Sequence, residues 1–231
     1  MWTYLETGIM SQIPYAYWRQ RLLYHHVSRF QKKGKVLEIG FGDGYLLHLL
    51  SQNHRFETHG SDISSKNINK VKNSLQNTKF KLMNTRGTLP YPNNYFDTFI
   101  ASEVLEHLDN QSLKNVIKEI YRILKPNGLA YLTFPAEENL KENECFCPKC
   151  QHIFHRYGHF QVWSLKLVKN RFSRFQIILI KDFFSIFIGL SPLKKILTIF
   201  ATTLLDLVNK FEKLPGRSYL VILKKSRPSS G

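Results

Sequence analysis

Residues 36–50 read VLEIGFGDGYLLHLL, a short apolar run that leads directly into three closely spaced glycines. Gly40, Gly42 and Gly44 permit backbone conformations and close approaches that a Cβ atom would block. A ligand can therefore lie across the turn between the strand and the following helix. The stretch predicts a βα unit whose turn binds a ligand.

A carboxylate follows at the end of the next predicted strand. Asp62, in HGSDIS, comes about 20 residues after the glycines, where it can accept hydrogen bonds from both hydroxyls of a ribose. A dinucleotide site would favour G-x-G-x-x-G spacing, whereas here Glu38 and Asp43 add negative charge around the turn. That charge is unsuited to a pyrophosphate and suits a nucleoside cofactor with a sulfonium and a free amino group.

The rest of the chain alternates short apolar runs with longer polar, periodic segments, which is typical of βα units around a parallel sheet. A helix over 14–33 is predicted to precede them. We predict strands near 35–39, 56–61, 78–82, 96–101, 128–134, 174–181 and 217–225. We predict further helices near 44–53, 64–76, 111–124 and 162–171.

These features together resemble the class I S-adenosylmethionine-dependent methyltransferases, in the broad group that includes quinone-biosynthesis methyltransferases. The resemblance covers roughly residues 35–134 and includes LPYPNNYFDTFIASEVLEHL at 89–108 and LKPNGLAYLTFP at 124–135. It implies a Rossmann-like, doubly wound α/β sheet of seven strands with the last strand antiparallel. It also implies S-adenosylmethionine as cofactor and a hydroxyl or carboxyl of a small or lipid-linked molecule as methyl acceptor.

The resemblance also assigns cofactor-binding residues. After the third strand the family often has an acidic residue near the adenine, where this chain has an amide and a hydroxyl. The implied contacts are Glu38, Gly40, Gly42 and Gly44 for the methionine part, Asp62 for the ribose, Ile63 for the adenine face, and Asn84 and Thr85 for the adenine edge.

A candidate catalytic group lies in SEVLEHL at 102–108. Methyl transfer to a hydroxyl needs a base or a Lewis acid, and we predict Glu103 and His107 as catalytic residues. The E-x-x-E-H spacing, which includes Glu106, resembles the metal-binding motif of small-RNA 2′-O-methyltransferases, where a distant histidine completes the ligand set. His159 would be that histidine here. In the alternative, Glu103 and His107 shape the pocket without metal.

Residues 145–159, CFCPKCQHIFHRYGH, contain all three cysteines of the chain. Cys147 and Cys150 form a C-x-x-C knuckle that can direct two thiolates at one tetrahedral ion, and His155 and His159 could complete a zinc site. A metal-free basic loop and redox use of the thiols are the alternatives. One histidine cannot easily serve both this site and the carboxylates, so we predict His159 beside the thiols.

The charge of the chain favours anionic partners. Lys and Arg number 33 against 17 Asp and Glu, a net charge of +16, and residues 161–231 hold 13 basic and 3 acidic residues. An anionic membrane surface is predicted as a possible partner, ahead of RNA. The start of the chain lacks the features of a secretory signal, which predicts a cytoplasmic protein that can associate peripherally with a membrane.

The predicted organisation is a helical cap at 1–34 followed by a methyltransferase domain at 35–231. That domain carries a Cys/His insertion at about 136–161 and an apolar helical insertion at about 183–212, interrupted by Pro192, Lys194 and Lys195. Two other functions stay open: a metal-dependent RNA 2′-O-methyltransferase, and a non-catalytic module that docks on a membrane or a partner. The identity of the acceptor and the oligomeric state are not encoded in any motif.

Overall fold

A computed structural model describes residues 14–184 and 217–226. Its strands are β1 (Gly34–Ile39), β2 (Phe56–Asp62), β3 (Thr78–Leu82), β4 (Phe96–Ser102), β5 (Leu124–Pro135), β6 (Glu144–Phe146), β7 (Ile153–His155), β8 (Phe175–Phe184) and β9 (Arg217–Lys225). Its α-helices are α1 (Pro14–Phe30), α2 (Tyr45–Ser51), α3 (Ser65–Val71), α4 (Asn110–Ile123) and α5 (Leu165–Arg171).

Seven of the described strands form one mixed sheet in the order β3-β2-β1-β4-β5-β9-β8. Strands β1 to β5 run parallel, and β9 pairs antiparallel with both β5 and β8. The predicted doubly wound sheet with an antiparallel last strand is therefore confirmed. The carboxyl ends of β1, β2, β3, β4 and β5 meet at one edge, which is where ligands bind in open α/β sheets.

Helices cover both faces of the sheet because successive strand residues point to opposite sides. On one face, Leu23 and Val27 of α1 pack with Val36 of β1 in a buried cluster. On the other face, Leu37 of β1 belongs to a larger buried cluster that includes Ile120 of α4. Burial of α1 against the sheet holds this helix next to the glycine turn.

The fifth strand begins earlier than its sequence predicts. Leu124 is already extended and pairs with Phe96, while the turn residues Lys125 to Gly128 are accommodated by a register shift between β4 and β5. Asn127 takes the left-handed conformation that this bulge requires, with φ 65°. Hydrogen bonding of Leu124 to β4 therefore starts the strand before Lys125 to Gly128, the residues that the sequence predicts as a turn.

Other boundaries differ by a few residues, and α3 is clearly shorter than the predicted helix at 64–76. Most of the predicted apolar insertion at 183–212 lies outside the described residues, as do residues 1–13 of the predicted cap. Residues 183 and 184 continue β8. No helix in the described part of the chain is long and apolar enough to cross a membrane.

Candidate active site

A cavity of about 830 Å³ opens at the edge where the parallel strands end. Its wall includes the glycine turn after β1, the residues after β2 and β3, and the segment after β4. Seven of the eight residues predicted to bind the cofactor line this cavity: Glu38, Gly40, Gly42, Asp62, Ile63, Asn84 and Thr85. The eighth, Gly44, lies before α2 and lines an adjoining depression.

The glycine turn has the conformation that its sequence predicts. Gly40, Gly42 and Gly44 have φ values of 60°, 55° and 76°, in the left-handed region that favours glycine. A Cβ on Gly40 would lie 2.6 Å from the Val104 side chain, so this position has no room for one. At Gly42 the same atom would meet open space, which leaves the cavity accessible along the turn.

Two carboxylates flank this turn in different environments. Glu38 is only 2% exposed, and its Oε2 has no hydrogen-bond partner in the described structure. Burial, followed by the Asp43 and Asp62 carboxylates, raises the pKa of Glu38 well above its ordinary value. Asp62 Oδ1 accepts hydrogen bonds from the Ser64 backbone N–H at 2.8 Å and from the Asn67 amide at 3.4 Å, which orients the carboxylate.

The opposite wall comes from α1, a predicted helix in which no binding residue was predicted. Tyr17, Arg19 and Gln20 line the cavity. The Tyr17 hydroxyl lies 3.3 Å from Asp43 Oδ2, and Arg21 Nε donates to the Tyr45 hydroxyl at 2.8 Å. These contacts attach the helix to the glycine turn on both sides of Arg19.

Glu103, a predicted catalytic residue, is held by α1. Its Oε2 lies 3.4 Å from Arg19 Nη1, and both side chains are largely buried. Its φ of 54° is left-handed, which is costly for a non-glycine residue and directs the side chain away from the regular course of β4. The nearest charged partner of Glu103 is thus Arg19, which a local sequence pattern does not reveal.

His107, the second predicted catalytic residue, also lines the cavity. Its Nδ1 lies 3.2 Å from the Gly158 carbonyl, which can only accept, so Nδ1 carries the proton and Nε2 the lone pair. Burial, followed by the nearby His159, lowers the pKa of His107 to about 4. His107 is therefore neutral at pH 7.

His159 lies between His107 and the Glu138 carboxylate. Its ring centroid is 4.9 Å from that of His107, and its Nδ1 is 2.5 Å from Glu138 Oε2. The His155 ring stacks on it at 4.7 Å, with Nε2 3.5 Å from Glu138 Oε1. Glu138 had no place in the sequence prediction because it lies in a polar stretch without a recognisable motif.

Two groups of three side chains in the described residues have ligand atoms close enough to hold a metal ion. One is Glu106, His107 and His159, and the other is Glu138, His155 and His159. The Glu106 carboxyl is fully buried, and neither of its oxygens has a hydrogen bond to a residue that the structure describes. Burial, followed by the Glu103 carboxylate, raises the pKa of Glu106 well above its ordinary value. Glu103, which the E-x-x-E-H motif would include, belongs to neither group.

The predicted ligand set of Cys147, Cys150, His155 and His159 is not assembled, and neither group contains a cysteine. Strands β6 and β7 form a hairpin in which Glu144 pairs with His155 and Phe146 with Ile153. Cys147 and Cys150 occupy its turn, where the Cys147 N–H donates to the His152 carbonyl, and His155 lies three residues beyond His152, about 10 Å at the rise of a strand. The hairpin therefore separates the thiols from the histidines.

Cys147 and Cys150 are nevertheless neighbours. Hydrogen bonds from Cys150, first from its backbone and then from its side chain, lower the pKa of the Cys147 thiol. Gln151 follows in a left-handed conformation with φ 56°. Cys147 and Cys150 are therefore close together as predicted, but His155 and His159, the other two predicted ligands, contact Glu138.

Comparison with protein-family models matches residues 15–177 to a family described as a methyltransferase domain. The uncharacterized methyltransferase YdaC of Bacillus subtilis is 30% identical over 105 residues, which are 45% of this chain and 57% of that protein. The chain thus spans little more than half the length of this relative.

Two solved structures show how far the fold agrees. The PH0226 protein of Pyrococcus horikoshii has a TM-score of 0.62 at 22% identity, covering 90% of this chain and 91% of that one. The N-methyltransferase NodS of Bradyrhizobium japonicum, in complex with S-adenosyl-L-homocysteine, has a TM-score of 0.58 at 14% identity. The match covers 94% of this chain and 90% of NodS. At these identities the agreement establishes a common fold.

Proposed function

Because the chain belongs to the methyltransferase-domain family, we propose that it transfers a methyl group from S-adenosylmethionine to a small or lipid-linked acceptor. The observation that carries this proposal is the convergence of the left-handed glycine turn, Glu38 and Asp62 on one cavity. NodS, which shares the fold, holds S-adenosyl-L-homocysteine, the product that such a transfer leaves.

The residues of the cavity fit this cofactor. The open space at Gly42 admits its methionine part, and the buried Glu38 oxygen without a partner can accept from its ammonium group. The Asp62 carboxylate can accept from both ribose hydroxyls, as the loop after β2 commonly does in nucleotide-binding folds. Ile63 would lie against the adenine face, and Asn84 and Thr85 would meet its edge.

His107 is the base that we propose for the transfer. Bound S-adenosylmethionine supplies a methyl carbon activated by the positive sulfonium. The Nε2 lone pair of His107 would accept the proton of an acceptor hydroxyl as that oxygen takes the methyl group, with S-adenosylhomocysteine as the leaving product. The hydrogen bond to Gly158 holds the ring in the tautomer that this role requires.

Glu103 is proposed to shape the pocket, because its contact with Arg19 holds the side chain in place. A hydroxyl or carboxyl is the acceptor group that we propose first, and an amine is the second candidate because NodS is an N-methyltransferase. A metal-dependent RNA 2′-O-methyltransferase is not proposed, since Glu103 does not join Glu106, His107 and His159. Binding to an anionic membrane surface stays a prediction from the charge of the chain.

A substitution at the glycine turn tests the proposal. Asn tolerates the left-handed conformation, so Gly42→Asn should fold while placing a side chain in the cavity. Calorimetry should show S-adenosylhomocysteine binding to the natural protein and at least about tenfold weaker binding to the variant, because the side chain occupies ligand space. Labelled S-adenosylmethionine should then transfer its methyl group to a component of fractionated cell extract. Absence of cofactor binding by the natural protein would refute the proposal.

A further inference from the structure

The segment between β5 and α5, together with the start of α5, carries most of the exposed apolar side chains. Among the described residues, nine large apolar side chains are exposed, and six of them lie within residues 146–165. Single exposed apolar residues are ordinary on protein surfaces, but a concentration of them marks an interaction site. The six side chains are Phe146, Ile153, Tyr157, Phe160, Val162 and Leu165.

One part of this surface is the β6–β7 hairpin. Phe146 pairs with Ile153 in the strand register, so the two side chains stand next to each other on one face. They are 60% and 58% exposed. The exposed Glu144 lies on the same face, but at the base of the hairpin and away from its turn. The apolar pair therefore borders the turn, where Lys149 is exposed.

The other part is the extended segment that leads into α5. Phe160 and Val162 are exposed, whereas Gln161 and Trp163, which alternate with them, are buried. The backbone N–H groups of Phe160 and Gln161 donate to the Glu106 carbonyl at 2.7 Å and 3.1 Å, which fixes the segment against the residues after β4. Phe160 also lines the cavity, so this surface reaches the candidate active site.

Ring contacts hold the two parts next to each other. The His155 ring of β7 stacks on the His159 ring with 4.7 Å between their centroids. The Tyr157 ring lies 5.9 Å from the His159 ring. Because His159 directly precedes Phe160, the hairpin and the extended segment belong to one surface.

The charge of this surface identifies the kind of partner. Residues 145–170 contain no aspartate and no glutamate. A second copy of the chain would bring the same cations to the contact and be repelled, whereas an anionic membrane attracts them. Apolar side chains among basic ones are typical of surfaces that bind in the headgroup region of such a membrane. The exposed cations of this segment are Lys149, Arg156, Lys166 and Lys169.

We infer that residues 146–169 form the surface by which this protein docks on an anionic membrane. The net charge of +16 attracts the chain to the membrane, and the apolar side chains enter the headgroup region on contact. Docking places Phe160 at the membrane and at the cavity together. That arrangement brings the cavity to acceptors held in the membrane, a consequence that rests on the proposed function, whereas docking itself does not require methyl transfer.

Flotation of the full chain with lipid vesicles tests the inference. The natural protein should float with vesicles of equal parts phosphatidylglycerol and phosphatidylcholine, and much less with phosphatidylcholine alone. The double variant Phe146→Ser/Ile153→Ser should bind the anionic vesicles at least about tenfold more weakly, because it loses the apolar contact. Lys166→Gln/Lys169→Gln should bind them roughly tenfold more weakly at low salt, and the difference should shrink at high salt.

Matched variants outside this surface are the controls. Phe30→Ser/Ile178→Ser removes two apolar side chains that are 51% and 44% exposed, and Lys114→Gln/Lys118→Gln removes two exposed cations of α4. Both should bind anionic vesicles within about threefold of the natural protein. All four double variants should keep their affinity for S-adenosylhomocysteine, which shows that the chain is folded.

Three results would overturn the inference. The natural protein could fail to float with anionic vesicles, or the Phe146→Ser/Ile153→Ser variant could float as well as the natural protein, which would assign membrane binding to another part of the chain. The natural protein could also be a dimer in sedimentation that this variant dissociates, which would make the surface a contact between copies. Flotation as expected without S-adenosylhomocysteine binding would instead refute the proposed function and leave the docking surface standing.

Discussion

The cavity has two halves that differ in how the chain builds them. Most of the cofactor half consists of the glycine turn, Glu38 and the residues after β2, within 27 residues of one another at 38–64, and Asn84 and Thr85 after β3 complete it. The acceptor half is lined by Glu103 and His107, and His107 is backed by the group around His159, drawn from segments at 138 and 155–159 outside the cavity wall. The first half is local in sequence, and the second is assembled by tertiary contacts.

This difference explains the different outcomes of the sequence predictions. In the cofactor half, every predicted residue except Gly44 lines the cavity, because a strand, a glycine turn and a strand end place their residues by local geometry. In the acceptor half, His159 lies beside Glu138 and not beside the thiols, and Glu103 pairs with a helix that precedes the sheet. The spacing of residues along the chain does not reveal such partners.

The largest expected effect is on chemistry in the acceptor half. His107→Gln keeps a donor for the Gly158 carbonyl but removes the basic nitrogen, so kcat should fall roughly 10²- to 10⁴-fold. The affinity for S-adenosylhomocysteine should be unchanged, because His107 makes no proposed contact with the cofactor. The exposed His54→Gln is the control for loss of an imidazole. Full activity of His107→Gln at neutral pH would show that another group accepts the proton.

A binding effect of intermediate size is expected in the cofactor half. Asp62→Asn keeps an oxygen that can accept from the Ser64 N–H, but it removes the charge that the ribose hydroxyls would meet. Calorimetry should show S-adenosylhomocysteine binding weakened roughly ten- to a hundredfold. Asp97→Asn, which removes a carboxylate paired with Lys125 at the amino end of β4, should cost stability and leave this affinity intact. Equal affinities of Asp62→Asn and the natural protein would contradict the ribose contact.

The dependence of stability on pH should report the burial of His107. Its pKa is about 4 when folded and 6.5 in the unfolded chain, so the unfolded chain binds the proton more readily between these values. The free energy of unfolding should therefore decrease as pH falls from 6.5 towards 4, with a contribution of about 3 kcal/mol from this residue.

Urea unfolding of the natural protein and of His107→Gln should be measured at pH 4 and at pH 6.5. Every other titrating group is present in both proteins, so the difference between them isolates the contribution of His107. The variant should lose less stability on acidification. Parallel losses would show that the His107 ring is accessible to protons in the folded chain.

The smallest effect is expected at the cysteine hairpin. Cys147→Ser should leave methyl transfer and cofactor affinity unchanged, because the thiol lies in a turn outside the cavity wall. Cys147→Ser should also leave the metal content of the purified protein unchanged, whereas His159→Ala should abolish any bound metal, because both candidate metal groups include His159 and neither includes a cysteine. Metal analysis by mass spectrometry checks both variants. Loss of one zinc ion from each of them would restore the predicted four-residue site.

Much of the sheet could be predicted because its inner strands are largely buried and because recognisable turns separate the strands. The limits of β3 and β9 agree with the predicted ones to the residue. The start of β5 could not be predicted in this way, because its turn residues carry a strong local signal that pairing with β4 overrides. Arg19 likewise resembles any basic residue of a helix until α1 is packed against the sheet.

The amino-acid sequence by itself determined the α/β class, the ligand-binding turn and the carboxylate that follows β2. These depend on strand periodicity and on backbone conformations that favour glycine, which act within a few residues. Only the tertiary structure decided which face α1 covers, which charge Glu103 meets and which carboxylate His159 binds. Those choices depend on the order of strands in the sheet and on burial, which bring together charges that are far apart in the chain.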